Sequence, residues 1–228
     1  MPDFSWKKFY SKRTDGGHRS QSEKFLKKEA KEKLLHLDGG KSLLDFGCGS
    51  ADVLIYIVPE YEKVTGVDFS QSMLQTAIEK CQSFGYNNAD FIYADEKSIW
   101  ENINQSYDRI ITIGVVQHLT IDQIEQFIKN ASERLNPDGK IIFFDVIDSR
   151  LFYLWRAGLF SKKYNYFFAF LLFLKLKLIH LIKGGPDDKI MGYSYNPYVI
   201  EKIAQKFGLQ MEYVSSTYYE YRYHAIIF

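Results

Sequence analysis

A glycine turn set between a short apolar run and a helical pattern constrains this chain more than any other feature. Residues 43–54 read Leu-Leu-Asp-Phe-Gly-Cys-Gly-Ser-Ala-Asp-Val-Leu: the apolar run ends in Asp45, and Gly47 and Gly49 follow. A strand that enters a tight turn and then a helix start leaves backbone N–H groups facing outward. A ligand can then approach the main chain closely. Nineteen residues after Gly49, a second run, Lys63-Val-Thr-Gly-Val-Asp68, ends in another acid. At that place an acid can accept hydrogen bonds from both ribose hydroxyls of a nucleoside lying across the two strand ends.

The third position of the glycine fingerprint separates the nucleotide chemistries that use this layout. A dinucleotide-binding turn places a third glycine where this chain has Asp52, so that a helix can pack beside a pyrophosphate. A carboxylate there repels a pyrophosphate, and Asp45 ahead of the glycines acts the same way. Acids on both sides of the turn suit a ligand carrying an ammonium and a sulfonium. A P-loop is excluded because no Gly-Lys-Ser/Thr follows. A purely structural turn leaves the second acid, Asp68, without a purpose.

The stretch from about 41 to 148 resembles the core of the class I S-adenosylmethionine-dependent methyltransferases. The resemblance rests on five motifs in order: Asp45-Phe-Gly47-Cys48-Gly49-Ser50-Ala51, Gly66-Val-Asp68-Phe-Ser70, Tyr93-Ala94-Asp95-Glu96, Ile111-Thr-Ile-Gly114-Val-Val-Gln117-His118-Leu119, and Leu135-Asn-Pro-Asp-Gly139-Lys-Ile-Ile-Phe. It implies a Rossmann-like, doubly wound sheet of seven strands, mostly parallel, with an antiparallel C-terminal hairpin. It also implies S-adenosylmethionine as cofactor and S-adenosylhomocysteine as product. Asp45, Gly47, Cys48 and Gly49 fall at the methionine end, Asp68 and Phe69 at the ribose, and Met73, Ala94, Asp95, Glu96 and Ile113 around the adenine and the pocket. In this family the loop after the fourth strand opens beside the transferred methyl, which makes His118 the candidate base. His18 reads instead as a surface histidine and His224 as a structural one on the last strand.

The periodicity along the chain agrees with alternating strands and helices. It predicts an amphipathic helix over 20–37 and strands near 42–46, 63–67, 89–94, 107–113 and 139–147. Helices are expected near 51–58, 71–84, 97–103 and 121–135. Asn196-Pro197 opens a further helix that Gly208 ends, and 209–216 and 219–228 form a final strand pair. The domain plan is an N-terminal helical cap over 1–40, with a turn at Asp15-Gly16-Gly17, a cofactor domain over 41–148 and 187–228, and an insertion over 149–186.

From Ser149 to Pro186 there is no acid, while seven cations give a local charge of +7 against a net +1 for all 228 residues. Ten aromatics lie among them, and the longest uncharged apolar run, Phe167 to Leu174, is eight residues. A bilayer span needs about 20. The insertion therefore reads as a membrane-surface helix, a lid over the acceptor, or a hairpin packed on the domain or on a second copy.

The near-neutral charge gives no general attraction to nucleic acid. The chain also shows Gly114-Val-Val-Gln117-His118 where nitrogen-directed nucleic-acid methylators carry Asn/Asp-Pro-Pro-Tyr/Phe. Two cysteines, Cys48 and Cys81, make neither a disulfide framework nor a metal site. The start lacks a secretory pattern, so a cytoplasmic place is expected, at the inner face of a membrane if the insertion binds lipid. The expected reaction is methyl transfer to a small-molecule acceptor, preferably an oxygen of a glycan, glycolipid or lipid-like precursor. The alternatives are a small amine as acceptor, or a non-catalytic binding or regulatory partner that kept the fold.

Overall fold

The computed structural model describes residues 10, 13, 20–160, 165–183 and 191–228. The expected turn at Asp15–Gly17 and His18 lie outside the described residues. The elements are α1 (Glu23–Leu37), β1 (Ser42–Phe46), β2 (Lys63–Asp68), α2 (Gln71–Ser83), β3 (Ala89–Tyr93), α3 (Ile99–Asn102), β4 (Tyr107–Ile113), α4 (Ile121–Ser132), β5 (Leu135–Ile147), α5 (Phe152–Arg156), α6 (Tyr166–Lys183), α7 (Pro197–Lys206), β6 (Met211–Ser215) and β7 (Arg222–Ile227).

Seven strands form one sheet in the order β3-β2-β1-β4-β5-β7-β6. The first five run parallel, and β7 pairs antiparallel with both β5 and β6. Neighbouring residues of the central strands are buried on opposite faces, as a sheet covered on both sides requires. Leu44, Ile110 and Phe143 join the core beneath α4 and α7, whereas Leu43, Ile111, Ile142 and Phe144 join the core beneath α1.

Local chemistry fixes the ends of these elements. Thr120 caps α4 through a reciprocal pair: the Gln123 backbone N–H donates to its hydroxyl, while the Gln123 side chain accepts from the Thr120 N–H at 2.8 Å. Asn196 accepts from the Tyr198 N–H and Pro197 opens α7, as the sequence implies. The last carbonyls of α1 are taken by Arg109 of β4, whose guanidinium donates to Leu37 O at 2.5 Å and Asp38 O at 3.3 Å.

Three expectations need correction. No α-helix covers 51–58, where the chain makes two short 3₁₀ turns, Leu54–Tyr56 and Val58–Glu60. Ala51 takes a left-handed φ of 57° and Pro59 lies in the second turn, so a regular helix neither starts nor continues. The helix expected over 97–103 shrinks to the single turn of α3. Strand β5 begins at Leu135, ahead of Gly139, because Leu135 already pairs with Tyr107 across a register shift.

One buried charged cluster ties α1 to the sheet. Lys33, fully buried, lies 2.8 Å from Glu32 and 3.0 Å from Asp145. Asp145 stands on β5 at a bulge with φ 60°, and its N–H donates to His224 Nδ1 at 3.2 Å. The second nitrogen of His224 faces Glu32 at 3.4 Å. Glu32, Asp145 and His224 converge as three metal ligands would. The ammonium of Lys33 sits between the two carboxylates and balances one of their two charges, so the cluster ties α1 to β5 through an ion pair. His224, wholly buried, takes the core role expected of it.

Candidate functional site

The C-terminal ends of β1 to β4 open into one cavity of about 660 Å³. It sits where the sheet reverses direction, with β2 and β3 to one side of β1 and β4 and β5 to the other. Open α/β sheets bind ligands in the crevice at such a point. Asp45, Gly47, Cys48, Gly49, Asp68, Phe69, Met73, Ala94, Asp95, Glu96, Ile113 and His118 all line it.

The turn after β1 is tied to β2 through main-chain bonds from the Gly47 and Cys48 N–H groups to Val67 O, at 2.7 and 3.0 Å. Gly47 has φ 76°, and a Cβ there would lie 2.4 Å from Val115 Cγ2. Glycine is therefore demanded twice, by conformation and by space. Gly49 also has a positive φ and donates its N–H to Asp68 Oδ2 at 2.9 Å. The Ser70 N–H donates to Oδ1 at 2.8 Å. The second acid is thus oriented at the cavity wall by the backbone of the glycine turn and of α2. Burial pushes its carboxyl above the usual range, against the pull of those N–H donors.

Asp95 spends one oxygen on its own turn, accepting from the Lys97 and Ser98 N–H groups at 3.1 Å. Glu96 accepts from the Gln123 side chain at 3.3 Å. Asp52 also lines the cavity, but it is paired with Lys80, which donates in addition to Ser50 O at 2.9 Å. Its charge is thus shared with a lysine, and the phosphate-repelling role drawn from its position is weaker than sequence alone suggests. Cys48 is buried, and its thiol is pushed well up by burial and by Asp68 and Asp45, which suits a turn filler and not a nucleophile.

The cavity extends past the turn toward the last strand and the insertion. Tyr10, Gln117, Gln123, Trp155, Met191, Tyr219, Tyr221 and Arg222 line this far end, and most of them were not singled out from sequence. Arg222 donates to Gln117 Oε1 at 2.9 Å and to Asp145 O at 2.7 Å, which fixes its guanidinium beside the Tyr219 and Tyr221 rings. The aromatic residues come from segments far apart in sequence, and no local signal joins them. His118 lies on a 3₁₀ turn over Val116–His118, packs edge-on to Tyr10 at 5.6 Å, and has Gln117 Nε2 3.3 Å from its own Nε2. Tyr10 and Arg13 are held over this region by Ser70 and Ser72, whose hydroxyls donate to their carbonyls at 3.3 and 3.0 Å.

The donor set fits an adenosyl group with an amino-acid tail. A glycine turn whose φ angles exclude side chains, a backbone-oriented acid at the end of β2, a further acid after β3 and an apolar floor of Met73 and Ala94 stand around one opening. Cations are scarce on this side of it, which suits a sulfonium better than a pyrophosphate.

Comparison with known proteins agrees. The chain is similar to (S)-tetrahydroprotoberberine N-methyltransferase of Eschscholzia californica, 28% identical over 115 residues, which are 50% of this chain and 31% of that enzyme. It is also similar to cyclopropane mycolic acid synthase 2 of Mycobacterium leprae, 24% identical over 164 residues, 68% of this chain and 52% of the synthase. The chain thus spans about a third to a half of the length of these curated relatives. Among solved structures, magnesium protoporphyrin IX methyltransferase from Synechocystis PCC 6803 with bound S-adenosylhomocysteine shares the fold. Its TM-score is 0.61 at 19% identity, covering 97% of this chain and 90% of that one. A methyltransferase from Clostridium acetobutylicum gives 0.62 at 16%, covering 92% of each. The model of the methyltransferase domain family matches residues 44–141. That match starts within β1 and ends within β5, spanning the strands that build the cavity, and over that stretch the chain is similar to S-adenosylmethionine-dependent methyltransferases.

Proposed function

We propose that this chain transfers the methyl group of S-adenosylmethionine to an oxygen of a small, lipid-like precursor such as a glycolipid or a hydroxylated lipid. The observation that carries the reading is the division of the one cavity: acids and glycines at the sheet ends, and an aromatic far end closed by Trp155, Tyr219 and Tyr221 with Arg222. In this reading Asp68 accepts from the ribose hydroxyls and Asp95 from the adenine amine, while Gly47 and Gly49 admit the methionine portion. Asp45 lies near its ammonium.

Methyl transfer is an in-line displacement, so holding the acceptor close and aligned supplies most of the acceleration. A hydroxyl acceptor must also lose its proton, and His118, which lines the cavity on the turn after β4, is the base proposed to take it. Arg222 suits an acceptor with an anionic group and opposes a cationic amine in the same place. The similarity to a mycolic acid synthase covers 68% of this chain and supports a lipid-like acceptor.

The second reading is N-methylation of a small amine. It is favoured by the N-methyltransferase relatives, whose similarity is confined to about half of this chain. Methyl-labelled S-adenosylmethionine offered with hydroxylated lipids, glycolipids and small amines separates the two. Label entering hydroxylated lipids or glycolipids, and lost when His118 becomes Asn, supports the first. Label entering amines alone overturns it. Cofactor binding with no turnover on any acceptor favours the non-catalytic partner.

A further inference from the structure

Among the described residues, helix α6 carries the largest group of exposed apolar side chains. At about 1.5 Å per residue its 18 residues run to roughly 27 Å. Its inner side is anchored: Ala169 is buried, Phe173 and Leu176 pack on the cluster formed by Phe152, Tyr153 and Tyr221, and Lys177 Nζ lies 4.8 Å over the Tyr153 ring. Its outer side is bare. Phe167, Phe168, Leu171, Leu174, Leu178 and Ile182 leave 46% to 75% of their surface in water. An apolar surface of that extent on one helix marks an interaction site.

We infer that α6 lies in the interface of an anionic bilayer, its outer side among the acyl chains and the cations of the insertion at the headgroups. The charge pattern selects this occupant. Residues 149–186 carry seven cations and no acid, so a second copy docked through α6 would set like charge against like. An anionic leaflet supplies the complement, at about 1 kcal/mol per lysine near the surface, or roughly fivefold in partitioning. Lys175 sits at mid-helix, exposed beside Leu171 on the outer side, where its long side chain can reach the headgroup layer. No helix among the described residues is long and apolar enough to cross a membrane, which agrees with a helix lying flat. The inference does not depend on the acceptor proposed above.

The test is co-sedimentation of the full chain with vesicles of phosphatidylcholine alone and of phosphatidylcholine with rising phosphatidylglycerol. The expected result is binding that grows with the anionic fraction and weakens with salt. Changing Leu171→Glu, Lys175→Glu and Leu178→Glu together should lower partitioning at least about tenfold. These side chains are exposed and lie outside the cavity, so S-adenosylhomocysteine binding by the same samples should not change. The milder pair Lys175→Gln and Leu178→Ser serves if the triple variant does not fold. No binding of the unaltered chain to anionic vesicles, equal binding to neutral ones, unchanged partitioning of both variants, or a dimer that α6 substitutions dissolve would each overturn the inference. Loss of cofactor binding by the unaltered chain would count against the methyltransferase reading and not against this one.

Discussion

Replacing Lys33 by Met removes the ammonium shared by Glu32 and Asp145, 2.8 and 3.0 Å away. All three side chains are essentially inaccessible to water. Removing one partner of a buried ion pair costs about 3–5 kcal/mol, because a buried charge is left uncompensated. Two carboxylates share this lysine, so the upper end of that range is expected. Against a total stability of about 5–15 kcal/mol, the loss should move a urea midpoint by roughly 1–2 M.

The pH dependence carries the sharper information. In the intact protein the hydrogen bonds from His224, Lys33 and Thr217 outweigh burial and hold Glu32 far below the ordinary carboxylate range. Its stabilising contribution is therefore complete above about pH 4.5 and is lost only as pH falls well below that. In the variant, burial is opposed by fewer partners and the carboxylates titrate upward. The variant should then regain stability relative to the intact protein as pH falls from 7.5 toward 5. Adding Asp145→Asn, which keeps the left-handed backbone accessible, should recover part of the loss, so the two changes are not additive. Urea unfolding at both pH values measures all of this. A loss under about 1 kcal/mol at pH 7.5, or a deficit that does not shrink on acidification, would refute the assignment of Lys33 as the neutralising charge.

Gly47→Ala forces a left-handed φ on a side chain that meets Val115, and should lower stability by about 2 kcal/mol or more, read as a fall in the thermal midpoint. Because burial raises the Asp68 carboxyl in the free protein, acidification protonates the proposed ribose acceptor before it would an ordinary aspartate. S-adenosylhomocysteine affinity should therefore weaken as pH drops toward the ordinary aspartate range, and calorimetric titration of Asp68→Asn should lose that dependence. His118→Asn should lower methyl transfer to a hydroxyl acceptor by about 10²–10⁴ in single-turnover assays while leaving S-adenosylhomocysteine binding intact.

Much of the fold is legible in the sequence, because its signals are local. The runs around Leu43-Leu44, Ile110-Ile111 and Phe143-Phe144 are buried on both faces and read as central strands, and Asn196-Pro197 and Gly208 bound α7 by cap chemistry alone. Residues 51–58 misled because Val53, Leu54, Ile55, Ile57 and Val58 are all buried, leaving no polar side whose period tells a helix from tight turns. Lys33 and Asp145 lie 112 residues apart, and the bulge that aims Asp145 at the lysine has no sequence signature. The end of the cavity proposed for the cofactor was legible as a set of residues lining one opening, because they stand at or just after the strand ends. The far end was not, since Trp155, Met191 and Tyr219 meet only when α5, the chain after α6 and the approach to β7 pack together.

The most direct test of the central claim is calorimetric titration of S-adenosylhomocysteine into the folded chain and its Asp68→Ala variant. One saturable site is predicted, with the variant weaker by at least about tenfold, since each hydrogen bond to a charged group contributes about 1.5–3 kcal/mol. No saturable binding, or equal affinity after Asp68 is removed, would contradict the account.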